Sequence, residues 1–105
     1  MNDQFDLTSE QITKIAKIYQ ILSNRIRLEI LLFLRHVEQA VNVSTIVDHL
    51  HLAQPIVSKQ LGILLKYQLV KRRKHGNHAF YTLGDSDVIQ MIDAIMTHAK
   101  HEPMP

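Results

Sequence analysis

The chain has no cysteine. That removes disulfides, thiolate metal sites and cysteine nucleophiles, and it fits a cytoplasmic protein. Glycine and proline number only three each in 105 residues, and no internal repeat or low-complexity tract is visible. No apolar run is long enough to span a membrane. The opening MNDQFDL lacks the basic-then-apolar pattern of a signal peptide. The most informative absence is of acids: no Asp or Glu lies between Asp48 and Asp85. That window holds Lys59, Lys66, Lys71, Arg72, Arg73 and Lys74, half of the 12 Lys and Arg. A chain of net charge only +2 therefore carries a strongly positive middle.

The apolar share of 46% supports one small core in a single domain, 1–105, with 1–7 and 102–105 expected to fray. A core of this size also favours oligomerisation. Thr8 with Gln11 reads as a capping box opening a helix to about Leu22. Ile12, Ile15, Ala16, Tyr19 and Leu22 form its inward face. Ile18 and Ile21 lie off that face, which suggests a second side buried against a partner. Asn24 caps a helix from Arg25 to about His36 whose inner set is Ile26, Ile30, Phe33 and Leu34. Leu28, Leu31 and Leu32 widen that stripe, as suits the centre of a small domain. After a connection over Val37–Val43, Ser44 is the expected cap of a short helix reaching about His51.

Leu52-Ala53 turns into the next helix, where Val57, Leu61 and Leu64 fall on one buried face. Pro55 is tolerated in the first turn. Gly62 in mid-helix costs about 1 kcal/mol relative to Ala. Gln54, Pro55, Ser58 and Lys59 point outward. Two β-type runs follow, Leu69–Lys74 and His78–Leu83, around a Gly76-Asn77 turn. A last helix runs from Val88 to about Lys100, with Val88, Met91, Ile92, Ile95 and Ala99 as its apolar stripe. The order α-α-α-α-β-β-α is a mainly α (α+β) winged helix-turn-helix. Such a fold suits a helix in the DNA major groove and a basic wing on the phosphates. The first and last helices have apolar surface to spare, which predicts a two-fold homodimer through them.

These segments resemble the ArsR/SmtB family of metal-sensing repressors. The resemblance covers roughly Ile15 to His101 and rests on SNRIRLEILLFL, on LAQPIVSKQLGILLKYQLVKRRKHGNHAFYTL and on GDSDV. It is nearest to the cysteine-free zinc-sensing branch. The resemblance implies operator DNA as partner, with Gln54, Pro55, Ser58 and Lys59 reading the groove; Pro55 stands where relatives usually carry a polar residue. Arg72, Arg73, Lys74, His75 and Asn77 form the wing's expected DNA-binding set.

The resemblance also places metal ligands at Asp85, Asp87, His98 and His101. Within one helix the carboxylates and imidazoles are at least eleven residues apart, roughly 16 Å. Antiparallel last helices in a dimer would bring them together, giving two sites of mixed oxygen and nitrogen donors that suit Zn(II). Asp87 replaces a histidine more usual in zinc-sensing relatives, so Co(II), Ni(II) and Mn(II) stay open. Each residue also has a local role: Asp85 as a cap, Asp87 in the first turn, His98 and His101 near the helix C-terminus. A winged-helix regulator answering a non-metal signal is the alternative. An enzyme is disfavoured, because no paired acid/base motif or glycine-rich loop accompanies the carboxylates and histidines.

Overall fold

A computed structural model describes residues 6–101, 103 and 104. Most of the positions expected to fray at the two ends lie outside the described residues. The elements are α1 (Ser9–Leu22), α2 (Arg25–Val37), α3 (Val43–Leu50), α4 (Gln54–Lys66), β1 (Val70–His75), β2 (His78–Leu83) and α5 (Ser86–His101). This is the expected winged helix-turn-helix order.

Local chemistry sets most of the boundaries. Thr8 and Gln11 form the reciprocal capping box: the Gln11 N–H donates to Thr8 Oγ1 at 3.1 Å and the Thr8 N–H to Gln11 Oε1 at 2.8 Å. The Asn24 side chain accepts from the Arg27 N–H at the head of α2. The cap of α3 is Asn42 rather than Ser44: its Oδ1 accepts from the Thr45 N–H at 3.0 Å, so the helix begins at Val43. Both residues are good caps. Asn42 prevails where Val41 is already held in extended backbone, paired with Tyr81 through N–H···O bonds of 2.7 and 3.1 Å. That bridge adds a one-residue third strand beside β2 in a segment read from the sequence as a plain connection. The hairpin begins at Val70, one residue later than expected. Its turn has Gly76 at φ +64, a left-handed conformation that glycine adopts at low cost.

The core centres on α2. Ile30 and Leu31 are fully buried, joined by Ile46 of α3, Val57, Leu61 and Leu64 of α4, Val70 of β1 and Ile92 of α5. The inner face of α1 is rotated relative to the sequence reading. Only Leu22 of the expected inward set packs on the core as read; Ile21 is buried and Ile18 joins it there, whereas Ile15 and Tyr19 are 41% and 67% exposed. The last helix divides along its length: Val88, Met91 and Ile92 meet the core, while Ile95 remains 54% exposed and Ala99 is open.

Candidate nucleic-acid interface

The helix α4 projects from the body on its Val57–Leu61–Leu64 face, so the opposite surface is free. Gln54, Pro55, Ser58 and Lys59 are all exposed there. Ala53 offers no side-chain cap, and Pro55 occupies the first turn, where its missing N–H costs nothing. The His51 residue in left-handed backbone ends α3 and makes the sharp turn into α4.

The hairpin register divides the basic run. Arg72 pairs with Tyr81 and Lys74 with Ala79, on the face that also carries buried Val70 and Leu83. Lys71, Arg73 and His75 pair with Thr82, Phe80 and His78 on the other face. All of Lys71–His78 is exposed, Asn77 at the tip included. Positive charge therefore wraps the ribbon, and the free edge of β1 is its most basic part. Such an edge resists pairing with another strand and suits a phosphate backbone.

Three long-range polar contacts were not foreseen. The Arg27 guanidinium of α2 donates from Nε to Gln60 Oε1 of α4 at 2.8 Å and from Nη1 to the Ile21 carbonyl of α1 at 3.1 Å. It ties the reading helix to the C-terminal turn of α1. Arg35 donates as a fork to Asp93, Nε to Oδ1 at 2.7 Å and Nη2 to Oδ2 at 3.1 Å, and so holds α5 to α2. These hydrogen bonds, above all, keep the Asp93 carboxyl below the usual carboxylate range and raise the Arg35 guanidinium further. The third contact is an ion pair between Lys71 of the wing and Asp85 at the head of α5. No local signal marks the pairing of Arg27 with Gln60, of Arg35 with Asp93 or of Lys71 with Asp85, because those partners lie far apart in sequence.

The four expected metal ligands are exposed and stay apart within one chain. Asp85 takes the N-cap position of α5 with its carbonyl accepting from the Val88 and Ile89 N–H groups, while its carboxylate turns to Lys71. Asp87 Oδ1 accepts from the Val88 N–H at 3.0 Å. His98 and His101 line one open depression beside Asp93 and Thr97, at the other end of the helix. Among the described residues of one chain, no three His, Asp or Glu side chains gather as a metal site. The donor set itself, two carboxylates and two exposed imidazoles, fits a divalent cation. Between α1 and α5 lies an apolar groove of about 510 Å³ floored by Tyr19, Leu22, Leu28, Met91 and Ile95.

Residues 24–72, from the α2 cap into the wing, match the model of the bacterial regulatory protein arsR family. A transcriptional regulator of the helix-turn-helix type from Methanocaldococcus jannaschii is 34% identical over 89 residues, spanning 82% of this chain and 99% of that one. The chain belongs to the arsR family of bacterial regulators. Within that family, the transcriptional repressor SmtB of Mycobacterium tuberculosis is 30% identical over 84 residues, 80% of this chain and 61% of that one. A homodimeric winged helix-turn-helix DNA-binding domain from Mycobacterium bovis superimposes with a TM-score of 0.84 over 94% of this chain and 90% of that one. At 22% identity this last likeness concerns the fold alone. The arsR assignment makes α3 and α4 the helix-turn-helix and the β1–β2 hairpin the wing. No helix among the described residues is long and apolar enough to cross a membrane.

Proposed function

We propose that this arsR-family regulator is a cytoplasmic, metal-responsive repressor that acts as a homodimer. Its activity is binding, with no chemical step. Two copies pair through α1 and α5, covering Ile15, Tyr19, Ile95 and the groove between the helices. Each copy sets Gln54, Pro55, Ser58 and Lys59 toward the major groove of operator DNA. Arg72, Arg73, Lys74, His75 and Asn77 meet the flanking backbone. A two-fold protein matches a palindromic site.

The observation that carries the metal reading is the separation of the donors. Asp85 and Asp87 stand at one end of α5, His98 and His101 at the other, so only a second chain can complete either set. A divalent ion held there, Zn(II) first and Co(II), Ni(II) or Mn(II) as alternatives, supplies a bridge between protomers. Capturing Asp85 also detaches it from Lys71, which couples the site to the wing. Release from DNA requires only that the ion favour one dimer geometry over the other. A coupling of about 1–3 kcal/mol is ordinary for such systems.

The test mixes two variants, Asp85→Ala and His98→Ala, each inactive alone. In the heterodimer one intersubunit site carries both lesions and the other is intact. Half of the metal capacity, and zinc-dependent release from DNA, is expected to return. If no capacity returns, the intersubunit site is wrong. A wild-type protein that binds DNA identically with zinc and with chelator favours the second reading, the same repressor answering a non-metal signal. The existing engagement of Asp85 by Lys71 and of Asp87 by its own helix supports that alternative.

A further inference from the structure

Two of the chain's three glycines answer to geometry inside the molecule. Gly76 holds φ +64 in the hairpin turn, and a Cβ on Gly84 would stand 2.6 Å from the Gln68 carbonyl oxygen. Gly62 has no such reason. It lies inside α4 with ordinary helical φ, it is exposed, and a Cβ added there meets nothing within 4 Å. Glycine is a poor residue for a helix interior, and no contact among the described residues offsets that cost.

Its position is informative. Gly62 lies opposite the buried Val57, Leu61 and Leu64. Lys59 precedes it by three residues and Lys66 follows it by four, so both share its face. Both lysines are exposed, and neither is among the residues forming ion pairs in the described structure. A bare stretch of helix backbone is thus bracketed by two ammonium groups in a segment without acids. An anion of the nucleic-acid backbone fits that arrangement, since backbone contacts set the depth and register of a reading helix.

We propose that Gly62 is the point where a phosphate of double-stranded DNA packs directly against α4, seated between Lys59 and Lys66. The absent side chain lets the strand approach; a Cβ would hold it off. This rests on the DNA-binding reading above and adds to it a contact through missing atoms. Gly62 is a positioning residue: it sets how deeply the helix enters the groove.

The test uses the full chain with Gly62→Ala and Gly62→Leu, thermal unfolding, and titration of a fluorescent random-sequence duplex over a salt series. Both variants should unfold at higher temperature than the parent, because both are better helix formers. Both should bind DNA less tightly. The alanine loss should be the smaller, and the leucine loss roughly tenfold or more, the scale of one hydrogen bond to a charged group. The leucine variant should also lose about one unit of the log–log salt slope, as for any missing phosphate contact. Unchanged DNA binding in both variants overturns the inference while the DNA reading stands, and it assigns the bare face to another occupant such as an acidic protein segment. Equal losses in both trace the effect to helix stiffness and also overturn it. A fall in unfolding temperature would mean the glycine is needed within the fold, with the same consequence. If the parent protein itself fails to bind the duplex, the DNA reading fails and takes this contact with it.

Discussion

Replacing Ile95 with glutamine tests the proposed dimer at one side chain. Ile95 lies on the outer face of α5 with 54% of its surface open. Full burial of an isoleucine contributes about 1.5–3 kcal/mol, so covering the open part contributes about 0.8–1.6 kcal/mol. Two-fold symmetry places the residue at the interface twice. Ile95→Gln puts a polar side chain of similar bulk on the helix, favours helix at least as well, and removes most of that gain from both copies. The dimer dissociation constant should rise by about 10–200-fold. The fold of each chain should persist, because Ile92, 1% exposed, anchors α5 to its own core. Sedimentation velocity over a protein concentration series reads the first expectation and far-ultraviolet circular dichroism the second. DNA binding should weaken in step at concentrations below the new dissociation constant, since a lone protomer grips a single half-site. An Ile95→Gln protein that dimerises as tightly as the parent would refute the reasoning. So would a parent that stays monomeric at every concentration.

Two further outcomes follow from charge. Arg73→Ala should weaken binding to all DNA sequences alike and reduce the log–log salt slope by about one unit; equal affinity and slope in a salt titration would remove Arg73 from the interface. The Asp93 carboxyl is held low by Arg35, so its ion pair stabilises the fold above the ordinary carboxylate range near about 4 and loses that effect as pH falls through the lowered value. Asp93→Asn should therefore lower the unfolding temperature at neutral pH and flatten its acid-side decline, and melting curves that superimpose on the parent from acid to neutral pH would contradict this.

Much of this protein is written in short-range patterns. The caps at Thr8 and Asn24, the Val57–Leu61–Leu64 face and the Gly76 turn each involve residues within a few positions of one another. Their hydrogen bonds and periodicity need no tertiary information. The acid-free stretch is likewise a property of composition alone, and with the helix and hairpin it carries the DNA reading from the sequence onward.

Packing decided the rest. The helix α1 is apolar on two sides, and no local rule says which side meets its own chain; the core takes Ile21 and leaves Tyr19 open. Asn42 and Ser44 are both adequate caps, and the Val41–Tyr81 bridge belongs with the earlier start. Arg35 finds Asp93 across 58 positions and Arg27 finds Gln60 across 33, separations at which only the folded backbone sets who is in reach. Asp85 and Lys71 meet for the same reason, and their pairing links the head of the last helix to the wing. The sequence determined which elements form and where positive charge gathers, because those depend on neighbours along the chain. Tertiary structure decided which apolar face stays open and which charges touch, because those depend on neighbours in space.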